Sequence, residues 1–179
     1  MILLASCGIN DSKVNKTGLS EQEMISGFKN TEAKFKKVFE SPQEYDQTQL
    51  KPLNDSLAYF VDGLLTEFPK SAELPKVLIE AGIKSLNVKN GKKALQYLAY
   101  VVDSFPNHKV VPRAMYFIGR TKDVVLNDVE GAKKAYKRLY RAYPNSIWGQ
   151  NAKSSVKLIL KPNFFQEIET DEQDSIDFN

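Results

Sequence analysis

The sequence predicts an all-α protein made of repeated helix pairs. Pro69, Pro106 and Pro144 each follow a Phe or Tyr, and they are 37 and 38 residues apart. A repeat length in this range is typical of arrays of helical units. Between the prolines, apolar residues recur at the three- and four-residue spacing of one helix face. Gly82 and Gly119 recur with the same repeat, since each lies 13 residues after a proline. We therefore expect paired helices with close contacts at fixed points.

The N-terminal helix pair is predicted over residues 20–68. Ser20 followed by Glu23 has the pattern of a capping box, in which each side chain bonds the backbone N–H of the other residue. Apolar residues then continue at helical spacing as far as Glu40. A polar connection follows. Pro52 is compatible with a helix mainly in its first turn, so it predicts that the second helix begins there.

Two repeats and a last helix follow the first pair, and their predicted bounds are residues 72–106, 109–144 and 147–160. Gly82 lies inside a predicted helix, where glycine costs about 1 kcal/mol of helix propensity. We therefore expect the partner helix to approach closely there, near Leu98. His108 occupies the position that Ser71 and Ser146 occupy in the other copies, which predicts a structural role at a turn. The last helix has no partner and is expected to cap the array.

The spacing of Gly82, Ala94 and Pro106 resembles the 34-residue pattern of tetratricopeptide-repeat (TPR) proteins, in which small residues and a proline recur at fixed positions. The segment 75–108 matches that pattern without a gap, and 112–144 matches it with one extra residue. The resemblance implies a TPR-like right-handed α-solenoid of about seven helices. The resemblance covers roughly residues 45–161, and the whole TPR-like helical domain is expected over residues 20–161.

In TPR proteins the first helix of each pair lines a concave groove that binds a protein or peptide. By the register of the resemblance, the lining side chains here would be Lys76, Ile79, Ile83, Arg113, Tyr116, Arg120, Asp123 and Asn151. Tyr and Arg often anchor interfaces. Packing between repeats is the alternative role for Tyr116 and Ile83. The resemblance implies a non-enzymatic scaffold with no cofactor, no metal and no small-molecule substrate.

The segment from Leu4 to Cys7 resembles the lipobox of bacterial lipoproteins, in which Leu and two small residues precede the Cys that receives the lipid. This implies a flexible tether over residues 1–19 and a membrane contact only through a lipid on Cys7. Together with the repeats, it resembles the envelope TPR lipoproteins of Gram-negative bacteria, of the barrel-assembly or Tol-Pal coordinator type. The expected location is the periplasmic face of the outer membrane, in envelope assembly or maintenance. The alternative is a soluble cytoplasmic TPR adaptor with unmodified Cys7.

The composition argues against several kinds of chemistry. The chain has one His and one Cys, which leaves little for zinc or triad chemistry. No glycine-rich phosphate loop is present, and no apolar run reaches the roughly 20 residues of a membrane span. The net charge is +3, yet residues 167–179 hold six acids and no base. We therefore predict an acidic and largely disordered tail over residues 162–179.

A basic band lies on one predicted helix and consists of Lys133, Lys134, Lys137, Arg138 and Arg141. Proteins that bind nucleic acid combine basic and aromatic side chains in this way. The tyrosines between these residues, however, keep the spacing of a packed helix face. We therefore interpret the band as a solvated face and expect no nucleic-acid partner.

Overall fold

The structure, a computed structural model, describes residues 17–40 and 47–160. In these ranges the chain forms seven α-helices and no strand, which confirms the predicted all-α class. The helices are α1 (Glu21–Glu40), α2 (Gln47–Glu67), α3 (Leu74–Asn87), α4 (Gly91–Ser104), α5 (Val111–Val124), α6 (Val129–Ala142) and α7 (Ile147–Leu160). None of these seven helices combines the length and the hydropathy that a membrane span requires.

Each helix packs against the next helix along the chain. In addition, α3 contacts α5 and α5 contacts α7, so these odd-numbered helices lie beside one another. The core passes through every helix pair. Its members in the even-numbered helices are fully buried and include Val61, Leu64, Leu98, Val101 and Leu139.

The two predicted points of close approach are present. A Cβ atom added to Gly82 would lie 2.7 Å from Cγ of Leu98, and one added to Gly119 would lie 2.5 Å from the ring of Tyr136. Contacts this short do not occur for real Cβ atoms. The absent side chain therefore lets α4 lie against α3 and α6 lie against α5.

In the turns that precede α3, α5 and α7, a side chain accepts a hydrogen bond from a nearby backbone N–H. The Ser71 hydroxyl oxygen accepts a hydrogen bond of 3.3 Å from the N–H two residues later, and Nδ1 of His108 accepts one of the same length from the N–H of Val110. The Ser146 hydroxyl accepts a bond of 3.0 Å from the N–H of Gly149. His108 thus has the structural role at a turn that the sequence predicts, and the structure shows that it acts as a backbone acceptor in place of serine.

The turns inside the two repeats also match each other. Lys89 and Asn127 have left-handed backbones, with φ of 59° and 52°. The next residue caps the following helix in both cases. Asn90 accepts a hydrogen bond of 3.2 Å from the N–H of Lys93, and Asp128 accepts one of 2.9 Å from the N–H three residues on. These caps satisfy N–H groups that a helix start leaves without an intrahelical partner.

The prediction that α2 begins at Pro52 is wrong, because the helix begins at Gln47 and contains the proline. A proline inside a helix costs about 3 kcal/mol or more. Leu50, in the added turn, is 1% exposed. Burial of such a side chain contributes about 1.5–3 kcal/mol, which offsets much of the cost. The expectation failed because it considered the backbone and left out the packing of Leu50.

The start of the described chain is attached to the end of α2. The backbone N–H of Thr17 and its hydroxyl donate to the two carboxylate oxygens of Glu67, over 3.0 and 3.1 Å. The capping box forms, since the Ser20 N–H donates to Glu23 over 2.8 Å and the Glu23 N–H donates back over 3.3 Å. The Ser20 hydroxyl also donates to the Glu23 carboxylate over 2.7 Å, and this bond, together with the one from the Ser20 N–H, lowers the pKa of the Glu23 carboxyl. The lipobox with Cys7 and the acidic tail lie outside the described residues.

Candidate functional site

A ladder of ion pairs joins the odd-numbered helices. Lys84 of α3 lies 3.3 Å from a carboxylate oxygen of Glu32 on α1 and 3.8 Å from one of Glu80. The other Glu80 oxygen accepts a hydrogen bond of 2.6 Å from Arg113 of α5. The Arg113 guanidinium lies 5.9 Å from the ring centre of Trp148 on α7. We call this surface, which runs from Glu32 through Glu80 and Arg113 to Trp148, the odd-helix face.

An aromatic cluster supports the C-terminal half of this face. The Tyr116 ring centre lies 5.4 Å from that of Trp148 and 5.7 Å from that of Tyr136. The Phe117 ring centre lies 5.8 Å from that of Trp148. Aromatic pairs at these distances contribute about 0.5–1.5 kcal/mol beyond the burial of their area. The cluster therefore fixes α5, α6 and α7 relative to one another.

Tyr136 lies at the base of the cluster and is 1% exposed. Burial is the main cause that raises the pKa of its hydroxyl well above the usual value, and the negative charge of Asp123 adds to it. Arg120 acts in the opposite direction. The hydroxyl therefore stays neutral at physiological pH, and Tyr136 acts as a packing residue.

The structure brings half of the sequence-predicted groove residues together on α5. Arg113 and Tyr116 contact Trp148, and Arg120 and Asp123 lie close enough to Tyr136 to influence its pKa. The remaining accessible residues of the predicted set lie on α3 and α7. Lys76 is exposed and pairs with Glu73 over 2.9 Å, Asn151 is exposed, and Ile83 is half-buried against the core.

Ile79 does not belong to the predicted groove, because its side chain is 0% exposed and cannot contact a partner. Ile79 is buried because α3 packs against three helices, α2, α4 and α5, so its buried face is wider than that of a helix with one partner. The register of the resemblance assigned Ile79 to the surface, whereas the packing places it in the core.

Sequence reasoning missed the acidic members of the ladder. Glu80 and Lys84 are four residues apart, the spacing that places two side chains together on a helix, so this pair had a local signal. Glu32 had none, because its partner Lys84 lies on another helix pair. Trp148 was missed as well, because its partner Arg113 lies on another helix.

A groove lies between α4, α5 and α6, and we call it the α6 groove. Its volume is about 270 Å³. The floor and rim are formed by Val102, Met115, Ile118, Lys122, Lys134 and Arg138. Further basic residues of the band, Lys137 and Arg141, line the adjoining surface of α6 together with Lys134 and Arg138.

Within residues 17–40 and 47–160, no group of three His, Cys, Asp or Glu side chains could hold a metal ion. In the same ranges, every buried side-chain nitrogen or oxygen has a hydrogen-bond partner. The described ranges therefore contain no buried, unpaired polar side-chain atom to which a ligand could bind.

Comparison with known proteins does not assign the chain to a family. The chain matches none of the protein-family models against which it was compared, and the search of curated proteins gave no match.

Proposed function

We propose that the chain is a non-enzymatic scaffold, a TPR-like right-handed α-solenoid that binds a protein partner on the odd-helix face. The observation that supports this most is the ion-pair ladder. It joins α1, α3 and α5, and the Arg113–Trp148 contact extends it to α7. Helices tied in this order present one continuous surface, as in repeat proteins that bind extended segments.

The chemistry of the face suits a peptide or protein ligand. Phe117 and Trp148 are half-buried, so parts of both rings remain accessible next to the Arg113 guanidinium. Aromatic residues and Arg are the commonest anchors at interfaces. Arg120 and Asn151 are exposed on the neighbouring turns of α5 and α7 and would contact the rim of a bound segment.

Site-specific photocrosslinking tests this proposal without disturbing the core. A photoreactive amino acid at Arg120 or Asn151 is expected to trap the same partner in cells, whereas one at Lys70, exposed on the turn between α2 and α3, is expected to trap none. Arg120→Glu should then weaken binding of the purified partner at least tenfold, a loss of about 1.4 kcal/mol. Equal trapping at Lys70, or unchanged affinity of the variant, would contradict the assignment of the face.

We further propose that the scaffold is an outer-membrane lipoprotein that faces the periplasm and serves envelope assembly or maintenance. The lipobox-like segment that ends in Cys7 supports this. The chain, expressed from its own locus with an alkynyl fatty acid in the medium, should become labelled, and Cys7→Ala should abolish the label. Absence of label on the native chain would instead favour the cytoplasmic adaptor with unmodified Cys7.

A further inference from the structure

We propose that the acidic tail of this chain, residues 162–179, docks in the α6 groove of the same molecule. The inference concerns α4–α6 and is independent of a partner on the odd-helix face. It rests on the chemistry of the groove, the composition of the tail and the position at which α7 ends.

The groove combines an apolar floor with a cationic rim. Met115 and Ile118 of α5 form its floor, and Lys122, Lys134 and Arg138 stand along its edges. Lys134 and Arg138 are exposed, and neither forms an ion pair with another residue of the described ranges. Helix α6 carries five basic residues and one acidic residue, Glu130. A ligand for this site therefore needs negative charges spaced among apolar side chains.

The tail has that composition. Its six acids are Glu167, Glu169, Asp171, Glu172, Asp174 and Asp177, and it contains no base after residue 161. Apolar residues alternate with these acids, including Phe165, Ile168, Ile176 and Phe178. The charge of the tail is thus complementary to that of α6, and its apolar residues match the floor of the groove.

The geometry places the end of α7 at the level of the end of α6 that lines the groove. Lys153 of α7 lies 5.2 Å from the ring centre of Tyr140, and Ser155 lies beside the Tyr136 hydroxyl. The two helices are therefore antiparallel, and Leu160 ends α7 at the level of the first turns of α6. That end of α6 contains Gly131 and Lys134, which line the groove. Extended, residues 161–179 reach about 60 Å, whereas α6 is about 21 Å long.

Paramagnetic relaxation in the full chain tests the docking directly. With Cys7→Ala and Ser175→Cys, a spin label is attached to the tail and amide signals are recorded. We expect broadening of the amides around Lys134 and Ile118. High salt should remove the broadening, because at about 1 M ionic strength charges are screened beyond about 3 Å. Broadening confined to α7 and the tail would overturn the proposal.

Charge reversal provides a matched comparison. Lys134→Glu/Arg138→Glu should abolish the broadening. Lys34→Glu/Lys70→Glu changes the net charge equally at exposed positions outside the groove and should leave the broadening in place. The amide spectra also show whether each variant is folded. Equal loss in both variants would mean that net charge, and not the groove, attracts the tail.

Mixing separates docking within one molecule from docking between molecules. Isotope-labelled chains without a spin label are combined with spin-labelled chains at natural isotope abundance. Docking within the molecule predicts no broadening in this mixture. Broadening of the groove amides in the mixture would show that the tail occupies a second copy, which contradicts the proposal.

A competition measurement tests whether the tail occupies the groove. A fluorescent peptide of residues 162–179 is titrated with the native chain and with a chain in which Glu167, Glu169, Asp171 and Glu172 are replaced by their amides. A tethered tail acts at an effective concentration of millimolar order. The neutralised chain should therefore bind the peptide about tenfold more tightly than the native chain. Equal affinity would show that the native tail does not occupy the groove, which contradicts the proposal.

Discussion

The odd-helix face and the α6 groove belong to the same helix repeats, yet they differ in whether their basic side chains are paired with acidic ones. On the odd-helix face, Lys84 and Arg113 each pair with glutamates of neighbouring helices. In the groove, Lys134 and Arg138 stand together on one helix face without an ion pair among the described residues. Paired charges fix the order of helices, whereas gathered like charges attract an oppositely charged segment. The difference separates a surface whose charges are paired between helices from one in which Lys134 and Arg138 have no such partner among the described residues.

The largest expected effect concerns the support of the odd-helix face. Tyr136→Ala should lower the free energy of unfolding by about 3–5 kcal/mol, because it empties a fully buried aromatic site. Urea unfolding followed by far-UV circular dichroism measures this loss. Tyr59 is 52% exposed, and Tyr59→Ala should change stability by about 0.5 kcal/mol or less. Similar losses for both variants would contradict the role of the cluster.

High pH should lower the stability that the two buried tyrosines of the even-numbered helices contribute to the fold. Burial is the main cause that raises the pKa of Tyr97 and of Tyr136, and the Tyr97 hydroxyl also donates to Asp62 over 2.9 Å. A raised folded-state pKa means that the neutral hydroxyl stabilises the fold fully below the unfolded value of about 10. Above that value the contribution falls by about 1.4 kcal/mol per pH unit for each tyrosine.

Urea unfolding across this alkaline range checks the slope. Tyr97→Phe should be less stable than the native chain at neutral pH and should lose less stability as the pH rises above 10. A variant with the same alkaline slope as the native chain would show that Tyr97 does not contribute to it.

The contact between α5 and α6 is expected to tolerate an added methyl group less well than the contact between α3 and α4. Gly119→Ala should cost about 1–3 kcal/mol, since the added methyl group meets the rigid ring of Tyr136. Gly82→Ala meets Leu98, whose side chain can rotate, so its cost should be smaller. Thermal unfolding of the two variants compares them directly, and a larger loss for Gly82→Ala would reverse this ranking.

The smallest effect tests the charge comparison itself. Glu80→Gln removes one carboxylate from two ion pairs, and partly exposed pairs contribute about 0.2–1 kcal/mol. Lys134→Gln/Arg138→Gln, made in the chain whose tail acids are replaced by amides, should leave stability unchanged within about 0.5 kcal/mol, because no docked tail is then lost. Urea midpoints at low and high salt distinguish them, because only the Glu80 effect is a lost internal attraction. A greater loss in the lysine–arginine variant would place structural ion pairs in the groove.

The sequence predicted the features that depend on local chemistry. The capping box at Ser20, the approach of Leu98 to Gly82 and the structural role of His108 at a turn follow from residue types at fixed positions, and the structure contains all three. The early start of α2 and the burial of Ile79 were not predicted. Both depend on neighbours from distant parts of the chain, which compensate for a proline in one case and widen the buried stripe in the other.

The candidate surfaces show the same division. Arg113 and Tyr116 could be selected from residue type and register, whereas the ladder required Glu32, which is distant in sequence from Lys84. The basic band on α6 was visible in the sequence as a charge pattern. Its neighbour Met115, which gives the band an apolar floor, belongs to another helix and became apparent only from the packing of α5 against α6.

The glycine contacts have a consequence for the way similar helix pairs recognise each other. A chain with near-copies of one unit risks docking a helix against the wrong neighbour during folding. Gly82 receives the branched side chain of Leu98, whereas Gly119 receives the flat ring of Tyr136. The side chains that fill the space above these two glycines differ in shape, so exchange of α4 and α6 would leave a void in one helix pair and a steric clash in the other. The shape of one side chain therefore distinguishes each helix pair from the other.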